Sequence, residues 1–372
     1  MRSPGRIQDK HLLAIVDGNA KHRAEVSAAL LSFYRVTEYA DSETAFASLR
    51  IDKPDILLVG EEVAPLDGFE LVHRLRQMPS GRRLPTIMVL NRDGGSNPDA
   101  VKHCGADSHL VKPYRRSTLL KTISSLVNAA IEGKWEALPA TQRQALRGTV
   151  EVFNSISDVI DKGEPITYHS ISEACGPLVE AVNKNDYRSI LNGVKDHDNY
   201  SYVHCLRVAT LLSLFGRTVG LGNKEQNLLA SAGLLHDVGK MAIPYQVLNK
   251  PGRLTEDEFT VMKGHVDASV HYLRNGHDIP KGVVTIAEQH HEKLDGTGYP
   301  HGLKGAQLND LARMAAIVDV FGALTDRRVY KPPIDAEVAL KTMAEEMSTH
   351  LDLRLLNLFR EMLLDAADNR AA

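Results

Sequence analysis

"HHEKLDGTGYP", residues His290 to Pro300, sets two imidazoles side by side, follows them with acidic residues and closes on a Gly-Tyr-Pro turn. A single histidine on a loop needs no explanation. Two together at the lip of a glycine-rich turn point to two ligands reaching into one site. Adjacent helical residues diverge by about 100°, so the pair serves one ion more easily from a helix end than from a helix middle. The surrounding sequence agrees with a helical setting: "SYVHCLRVATLLSLFGRTVG", "EQNLLASAGLLHDVGK", "EDEFTVMKGHVDASVHYLRNG" and "DLARMAAIVDVFGALTD" all carry apolar residues at helical spacing. Residues 165–368 therefore read as an all-α domain built around this site.

Nine of the sixteen histidines lie between His197 and His301, within that helical half. In "AGLLHDVGK" the pair His236-Asp237 ends an apolar helix, so an imidazole and a carboxylate emerge together from a hydrophobic wall. A buried ionised aspartate is costly unless a cation or hydrogen bonds compensate it, and a metal ion does so directly. Lys240, four residues after His236, is expected one helical turn along the same face, where its ammonium meets a phosphate. His204 in "YVHCLRVA", His265 in "MKGHVDAS" and Asp319 in "AAIVDVFGAL" each interrupt an apolar or small-residue face. Taken singly, His204 also reads as a core histidine and His265 as a polar helix residue. Taken with His290 and His291, five histidines and two carboxylates exceed the protein ligand set of one divalent ion. Asp237 can bridge through its two oxygens. Two ions a few ångströms apart, activating a shared water and clamping a phosphoryl group, fit this set. His197, His271, His277 and His301 read as solvated or structural.

The first 125 residues follow a different pattern. "LLAIV" (12–16), "DILLV" (55–59), "TIMVL" (86–90) and "HLV" (109–111) are strand-like runs, separated by amphipathic segments such as "AKHRAEVSAALLSF" and "DGFELVHRLRQM". Short buried strands alternating with helices predict a doubly wound parallel sheet, flavodoxin-like, with any site at the carboxyl ends of its strands. The chain thus reads as multidomain, with an α/β domain over 9–130, a helical linker over 131–164 and the helical domain over 165–368. In the linker, Leu146, Val150, Phe153, Ile156 or Ser157, and Ile160 form one stripe, with Thr141 a candidate N-cap after Pro139. The stripe suits packing on its own domain or a dimer seam.

Bulk properties narrow the function. A formal net charge of −3 gives no reason to expect binding to nucleic-acid polymer or an anionic membrane. Cys104, Cys175 and Cys205 lack CxxC spacing and read as inert thiols rather than a disulfide framework or zinc ribbon. The N-terminal "MRSPGRIQDK" has no apolar core of a signal peptide, and no stretch approaches the ~18 apolar residues of a membrane span. The expectation is a cytoplasmic protein.

"LLHDVGKMAIP" (234–244) and "HHEKLDGTGYP" (290–300) together resemble the HD-GYP phosphodiesterases, a subgroup of the HD metal-dependent phosphohydrolases, with the likeness running over roughly 165–365. The resemblance implies hydrolysis of the bacterial second messenger cyclic di-GMP to linear pGpG or on to GMP. It makes His204, His236, Asp237, His265, His290, His291 and Asp319 metal ligands, with Asp237 and Lys240 carrying the catalysis. It puts Lys240, Arg328 and Lys331 on the substrate's phosphates and Tyr299 at the border of the site. The metals it implies are iron or manganese; mixed imidazole and carboxylate ligation suits zinc and nickel as well. Family members with a third metal carry a glutamate where this chain has Tyr200, and a phenol is a poor ligand at neutral pH, so two ions are expected. A phosphohydrolase for another nucleotide, such as a mixed cyclic dinucleotide, and a non-catalytic cyclic-dinucleotide-binding scaffold are the alternative readings.

Residues 9–130 resemble a response-regulator receiver, in strand order and in "PLDGFEL" and "GADSHLVKP". Receivers hold magnesium with two acids after the first strand, take a phosphoryl group on an aspartate after the third, and place a hydroxyl after the fourth and a lysine after the fifth. Here Asp17 is followed by Gly18, Gly60 stands at the phosphoacceptor position, Leu90 replaces the hydroxyl, and Lys112 remains. Glu61, the nearest acid, points to the other face of its strand. No phosphorylation site is expected. Regulation is expected instead through a protein partner of this domain or through homodimer geometry, transmitted by the helices of 117–165.

Overall fold

The computed structural model describes residues 11–31, 34–78, 81–92, 98–248, 250, 252–326 and 334–368. Its contacts divide the chain into two compact units, one ending at Gly133 and the other beginning at Lys134.

The first unit is a five-stranded parallel sheet of order β2-β1-β3-β4-β5, formed by Leu12–Val16 (β1), Arg35–Tyr39 (β2), Ile56–Gly60 (β3), Thr86–Leu90 (β4) and Ser108–Val111 (β5). Five helices accompany it: Ala20–Leu30 (α1), Ser42–Leu49 (α2), Gly68–Gln77 (α3), Pro98–Cys104 (α4) and Arg116–Glu132 (α5). Successive strand side chains face opposite ways, and two separate cores result. Leu13, Ile15, Ile56, Leu58, Ile87 and Val89 meet Val26 and Leu30 of α1 and Leu119, Ile123 and Val127 of α5. Ala14, Val16, Leu57, Val59, Met88 and Leu90 meet Leu49 of α2, Leu71 and Leu75 of α3, and Val101 of α4. The strand β2, "RVTEY", was absent from the strands expected from the sequence. It is an edge strand, and of its five residues only Tyr39 is buried, so it lacks the continuous apolar run that marks the central strands.

The second unit is helical. It runs through Ala140–Asp161 (α6), Tyr168–Asn183 (α7), Tyr187–Gly193 (α8), Tyr200–Thr218 (α9), Asn223–Leu235 (α10), Tyr245–Leu248 (α11), Glu256–Lys263 (α12), His265–Arg274 (α13), Lys281–Gln289 (α14), Asp310–Thr325 (α15), Ala336–Glu346 (α16) and Leu353–Asp368 (α17). One core joins them. Leu206, Leu212 and Phe215 of α9 pack with Leu229 and Leu235 of α10, Leu178 of α7, Ile317 and Phe321 of α15, and Phe359 of α17. The stripe Leu146, Val150, Phe153 and Ile156 of α6 is buried in the same core, with Ile160 packed at its edge. Thr141 is not the N-cap of α6: the helix already starts at Ala140, Pro139 holds the cap position, and no side chain caps it. Proline's preset φ starts the helix without an accepting side chain. No helix among the described residues is long and apolar enough to cross a membrane.

Because Leu146 is fully buried, Leu146→Ala is expected to destabilise the helical unit by about 2–5 kcal/mol. Denaturant unfolding of the full chain, followed by helical circular dichroism, reads this directly. A change below about 0.5 kcal/mol, the usual effect of a surface substitution, would mean that α6 is not packed in this core.

Candidate metal centre

Five helices deliver the seven residues singled out above. His204 stands within α9, His236 directly follows α10, His265 opens α13, His290 directly follows α14, and Asp319 lies within α15. Asp237 is where the chain leaves α10: its φ of −104° and ψ of 13° open a short 3-10 turn over Val238–Ala242. Lys240 therefore lies on that turn rather than on a continuation of α10. It still reaches the site, pairing with the Asp237 Oδ2.

All seven come together, and their ligand atoms form two groups. In each group, one atom per residue lies within 4.8 Å of the others: Asp237, His265, His290 and His291 in one, and His204, His236 and Asp319 in the other. Asp237 stands between them. Its Oδ1 is 3.2 Å from His265 Nε2 and 3.8 Å from His290 Nε2. Its Oδ2 is 3.3 Å from His236 Nε2 and 3.8 Å from His204 Nε2. Asp319 approaches His204 Nε2 at 2.9 Å through Oδ1 and His291 Nδ1 at 3.7 Å through Oδ2.

Three of the histidines are oriented by the backbone. His236, His265 and His290 each donate Nδ1–H to the carbonyl three residues earlier: Gly233 at 2.7 Å, Met262 at 2.7 Å and Ala287 at 3.0 Å. That fixes Nε2 as the inward nitrogen. The Nε2 atoms of these three residues and Asp237 Oδ1 are buried, yet none has a hydrogen-bond partner. Each unsatisfied buried polar atom costs about 1–3 kcal/mol. They lie on residues of both groups around Asp237, the mark of a centre that cations complete, and the donor set of imidazoles and carboxylates fits divalent ions.

The charges are arranged to the same end. Burial alone would raise the Asp237 carboxyl, but Lys240 and His236 beside it outweigh that and hold it well below the usual range. Asp319 is likewise held well below, burial being outweighed by the hydrogen bond with His204 and by the neighbouring His236 ring. Burial would lower His236, yet Asp237 and Asp319 raise it to about 10, so this ring carries a proton in the metal-free protein. Burial depresses His290 strongly, helped by His291 and His236, and pulls His291 down to about 4. Both are neutral at physiological pH, with lone pairs available to a metal. Cys205 also lies near His236 and Asp237. Burial, with Asp237 beside it, pushes its thiol well up, so Cys205 is a neutral thiol in the metal-free protein.

The Gly-Tyr-Pro loop is tied to the same residues. Glu292, which is buried, accepts hydrogen bonds from the His301 N–H at 2.6 Å and the Leu303 N–H at 2.9 Å. Gly296 has a φ of 81°, and a Cβ on Gly298 would lie 2.4 Å from Lys293 N. Neither position accepts a side chain without strain, which accounts for the glycines of this turn. Tyr299 donates its N–H to the His291 carbonyl at 3.2 Å and lays its ring 4.8 Å from the His291 ring. Phe259 of α12, half exposed, meets the far side of Tyr299 at 6.3 Å. Burial, then the charges of Asp319 and Asp237, push the Tyr299 phenol up, so it stays a hydrogen-bond donor. Tyr200 stacks on His204, with ring centroids 6.0 Å apart. Arg328 and Lys331 lie outside the described residues.

Sequence reasoning missed Glu292, Phe259 and Asp326, whose Oδ2 is 2.9 Å from His204 Nδ1. The acid following His291 was visible as part of the motif. Nothing local marks Asp326, which is 122 residues from its partner.

In the α/β unit, the carboxyl ends of the strands carry a different constellation. Asp17 is buried, with Oδ1 accepting from Asn19 N at 2.8 Å and Oδ2 from His22 Nδ1 at 2.6 Å. Lys112 Nζ is 3.4 Å from the same Oδ2. The His22 Nε2 in turn accepts from the Tyr114 hydroxyl at 2.7 Å. Burial raises the Asp17 carboxyl, but these hydrogen bonds and Lys112 outweigh it and leave it lowered. Gly60 ends β3 against this group: a Cβ there would lie 3.0 Å from Asp17 Oδ2. Leu90 is buried, and Glu61 Oε2 accepts from Asn91 N at 2.8 Å.

Comparison with known proteins agrees with both units. The HD domain family matches residues 188–355 and the response regulator receiver domain family matches residues 13–124. The chain is 30% identical over 325 residues to the cyclic di-GMP phosphodiesterase response regulator RpfG of Xanthomonas campestris pv. campestris, covering 87% of this chain and 79% of that protein. The 3'3'-cGAMP-specific phosphodiesterase 2 of Vibrio cholerae is 35% identical over 174 residues, 46% of this chain and 33% of that protein. Among solved structures, Bd1817, an HDG"Y"P protein from Bdellovibrio bacteriovorus, shares the fold with a TM-score of 0.50 at 19% identity, covering 66% of this chain and 81% of that one. HD-domain phosphohydrolases are metal-dependent enzymes. With a receiver unit ahead of a helical HD unit, and a relative matched along most of both chains, this protein belongs to the HD-GYP response-regulator phosphodiesterases.

Proposed function

We propose that the chain hydrolyses cyclic di-GMP to pGpG or on to GMP with two divalent metal ions held in the helical unit. The observation that carries the reading is the set of four unpartnered buried ligand atoms around Asp237. The relatives named as cyclic di-GMP phosphodiesterases support the substrate. His204, His236 and Asp319 would hold one ion and His265, His290 and His291 the other, with Asp237 placed between the two groups to serve both. The family resemblance implies iron or manganese, and the donor set fits zinc and nickel as well. Tyr200 offers no carboxylate for a third. When bound, the ion pair supplies Lewis-acid charge and lowers the pKa of water.

The protein's own groups complete the chemistry. Lys240, raised by Asp237 and Asp319 against the opposing effect of burial, stays charged and stabilises negative charge developing on the phosphoryl oxygens. Tyr299 can donate a hydrogen bond at the rim, and its ring, met edge-on by Phe259, offers an aromatic face to a purine base. Turnover of cyclic di-GMP by the purified chain with manganese or anaerobic ferrous iron, products resolved by chromatography, tests the reading. A second substrate, 3'3'-cGAMP, belongs in the same assay because a relative is named for it. Preference for that nucleotide would move the assignment to the mixed dinucleotide. Binding of either without cleavage would make the protein a scaffold.

The receiver unit is proposed to regulate without phosphorylation, through a protein partner or through dimer geometry. Its one buried acid at the strand ends is engaged by His22, Asn19 and Lys112, and Gly60 brings no phosphoacceptor. With acetyl phosphate and magnesium, intact mass is expected to stay unchanged and so is the hydrolysis rate; a phosphorylated residue in this unit that alters the rate would overturn the proposal.

Asp237→Ala is expected to abolish hydrolysis and lower the metal content from about two ions per chain, since the bridge serves both. Lys240→Ala is expected to keep the metals while turnover falls roughly 10²-fold or more, the scale of losing one positioned charge. Elemental analysis beside the rate assay separates the two; metal loss from the Lys240 variant would make that residue structural.

Metal loading should also release protons. His236, at about 10 in the metal-free protein, is protonated at pH 8 and must give up that proton to ligate. Affinity should therefore fall as pH drops, by about tenfold per unit for each proton displaced. Titration calorimetry in two buffers of different ionisation enthalpy measures the release, and identical heats in both would contradict it.

A further inference from the structure

His204 is held unlike the other oriented histidines of the centre. His236, His265 and His290 stand at helix ends and turn Nδ1 to a backbone carbonyl. His204 lies inside α9, and its Nδ1 faces a carboxylate, the Asp326 Oδ2 at 2.9 Å. Asp326 is the residue that ends α15, its N–H donating to the Gly322 carbonyl at 2.7 Å. It follows Asp319 by two helical turns, so the two acids rise from one side of the helix. The His204 ring lies between them, with Nε2 2.9 Å from Asp319 Oδ1.

Gly322 makes this sandwich fit. A Cβ there would lie 3.3 Å from His204 Cε1 and 3.4 Å from Nδ1. Its absence lets the ring rest against the helix while Asp326 reaches it from one turn further on. Asp326 is itself buried, at 4% exposure, and a buried carboxylate must be compensated. Arg207 does so, with Nε 2.6 Å from the Asp326 Oδ1 and Nη2 donating to Thr325 Oγ1 at 3.1 Å. Arg207 lies three residues after His204 on α9. The same pair of helices thus supplies the ligand, its carboxylate and the cation that holds the carboxylate.

We propose that Asp326, anchored by Arg207, is a positioning residue that fixes the His204 ring with its proton on Nδ1 and so presents Nε2 to the ion of the His204–His236–Asp319 group. The other group has only neutral carbonyls behind His265 and His290, so the charge-assisted hydrogen bond distinguishes the two ion sites. The inference rests on the metal-binding part of the proposed function and is independent of the substrate.

The test uses the full chain, stripped of metal and titrated with Mn²⁺, with free ion counted by electron paramagnetic resonance. The wild type is expected to show two binding steps. Asp326→Ala should weaken one of them by about 10–100-fold, the usual cost of losing such an outer partner, and leave the other unchanged. Asp326→Asn keeps an acceptor for Nδ1–H at the same shape and should recover part of the loss. It also serves if the alanine variant fails to fold, which metal-free circular dichroism would reveal. Two wild-type steps in both variants, or equal weakening of both steps, would overturn the proposal while leaving the metal reading intact. Absence of Mn²⁺ binding in the wild type would overturn the metal reading and this inference with it.

Discussion

The helical unit is organised around one buried carboxylate. Asp237 is 5% exposed, and its two oxygens face two separate sets of imidazoles. Inside a protein, that charge persists only if opposite charge stands close. In the metal-free molecule Lys240 and a protonated His236 supply it. They do so incompletely, since Asp237 Oδ1 and the inward nitrogens of three histidines have no hydrogen-bond partner. The helices are packed well enough to hold this arrangement against its own cost, and the large apolar core around α9 and α10 is what holds it.

Helix ends do much of the positioning. His236, His265 and His290 sit where a helix begins or stops, within reach of a carbonyl three residues earlier, so the backbone itself selects the nitrogen that points inward. Where a ligand comes from a helix middle, the carbonyls are occupied by the helix ladder and a side chain must act instead. Asp326 meets that need at His204.

The two units treat a buried aspartate in opposite ways. Asp17 is satisfied by protein: a backbone N–H, an imidazole and a lysine engage its oxygens. A carboxylate so enclosed is part of the structure. Asp237 is left with an unpartnered oxygen among unpartnered nitrogens, and such an arrangement calls for a ligand. The receiver unit keeps its sheet and its helices, and its buried Asp17 is engaged by hydrogen bonds and a lysine of the same unit.

Much of this was legible in residue order. Strands buried on both faces, such as "LLAIV" and "TIMVL", declare themselves through continuous apolar runs, and the motifs around His236 and His290 place residue types that packing alone does not favour. The edge strand "RVTEY" stayed hidden because only one of its residues is buried. The 3-10 turn that carries Lys240 was read as more helix, since the spacing of three or four residues is nearly the same in both. The division of the seven residues between two groups and the pairing of Asp326 with His204 and Arg207 were decided by tertiary structure alone. Each depends on helices far apart in the chain approaching within hydrogen-bond distance. Local periodicity records which face of a helix is buried, but not which partner the fold will bring against it.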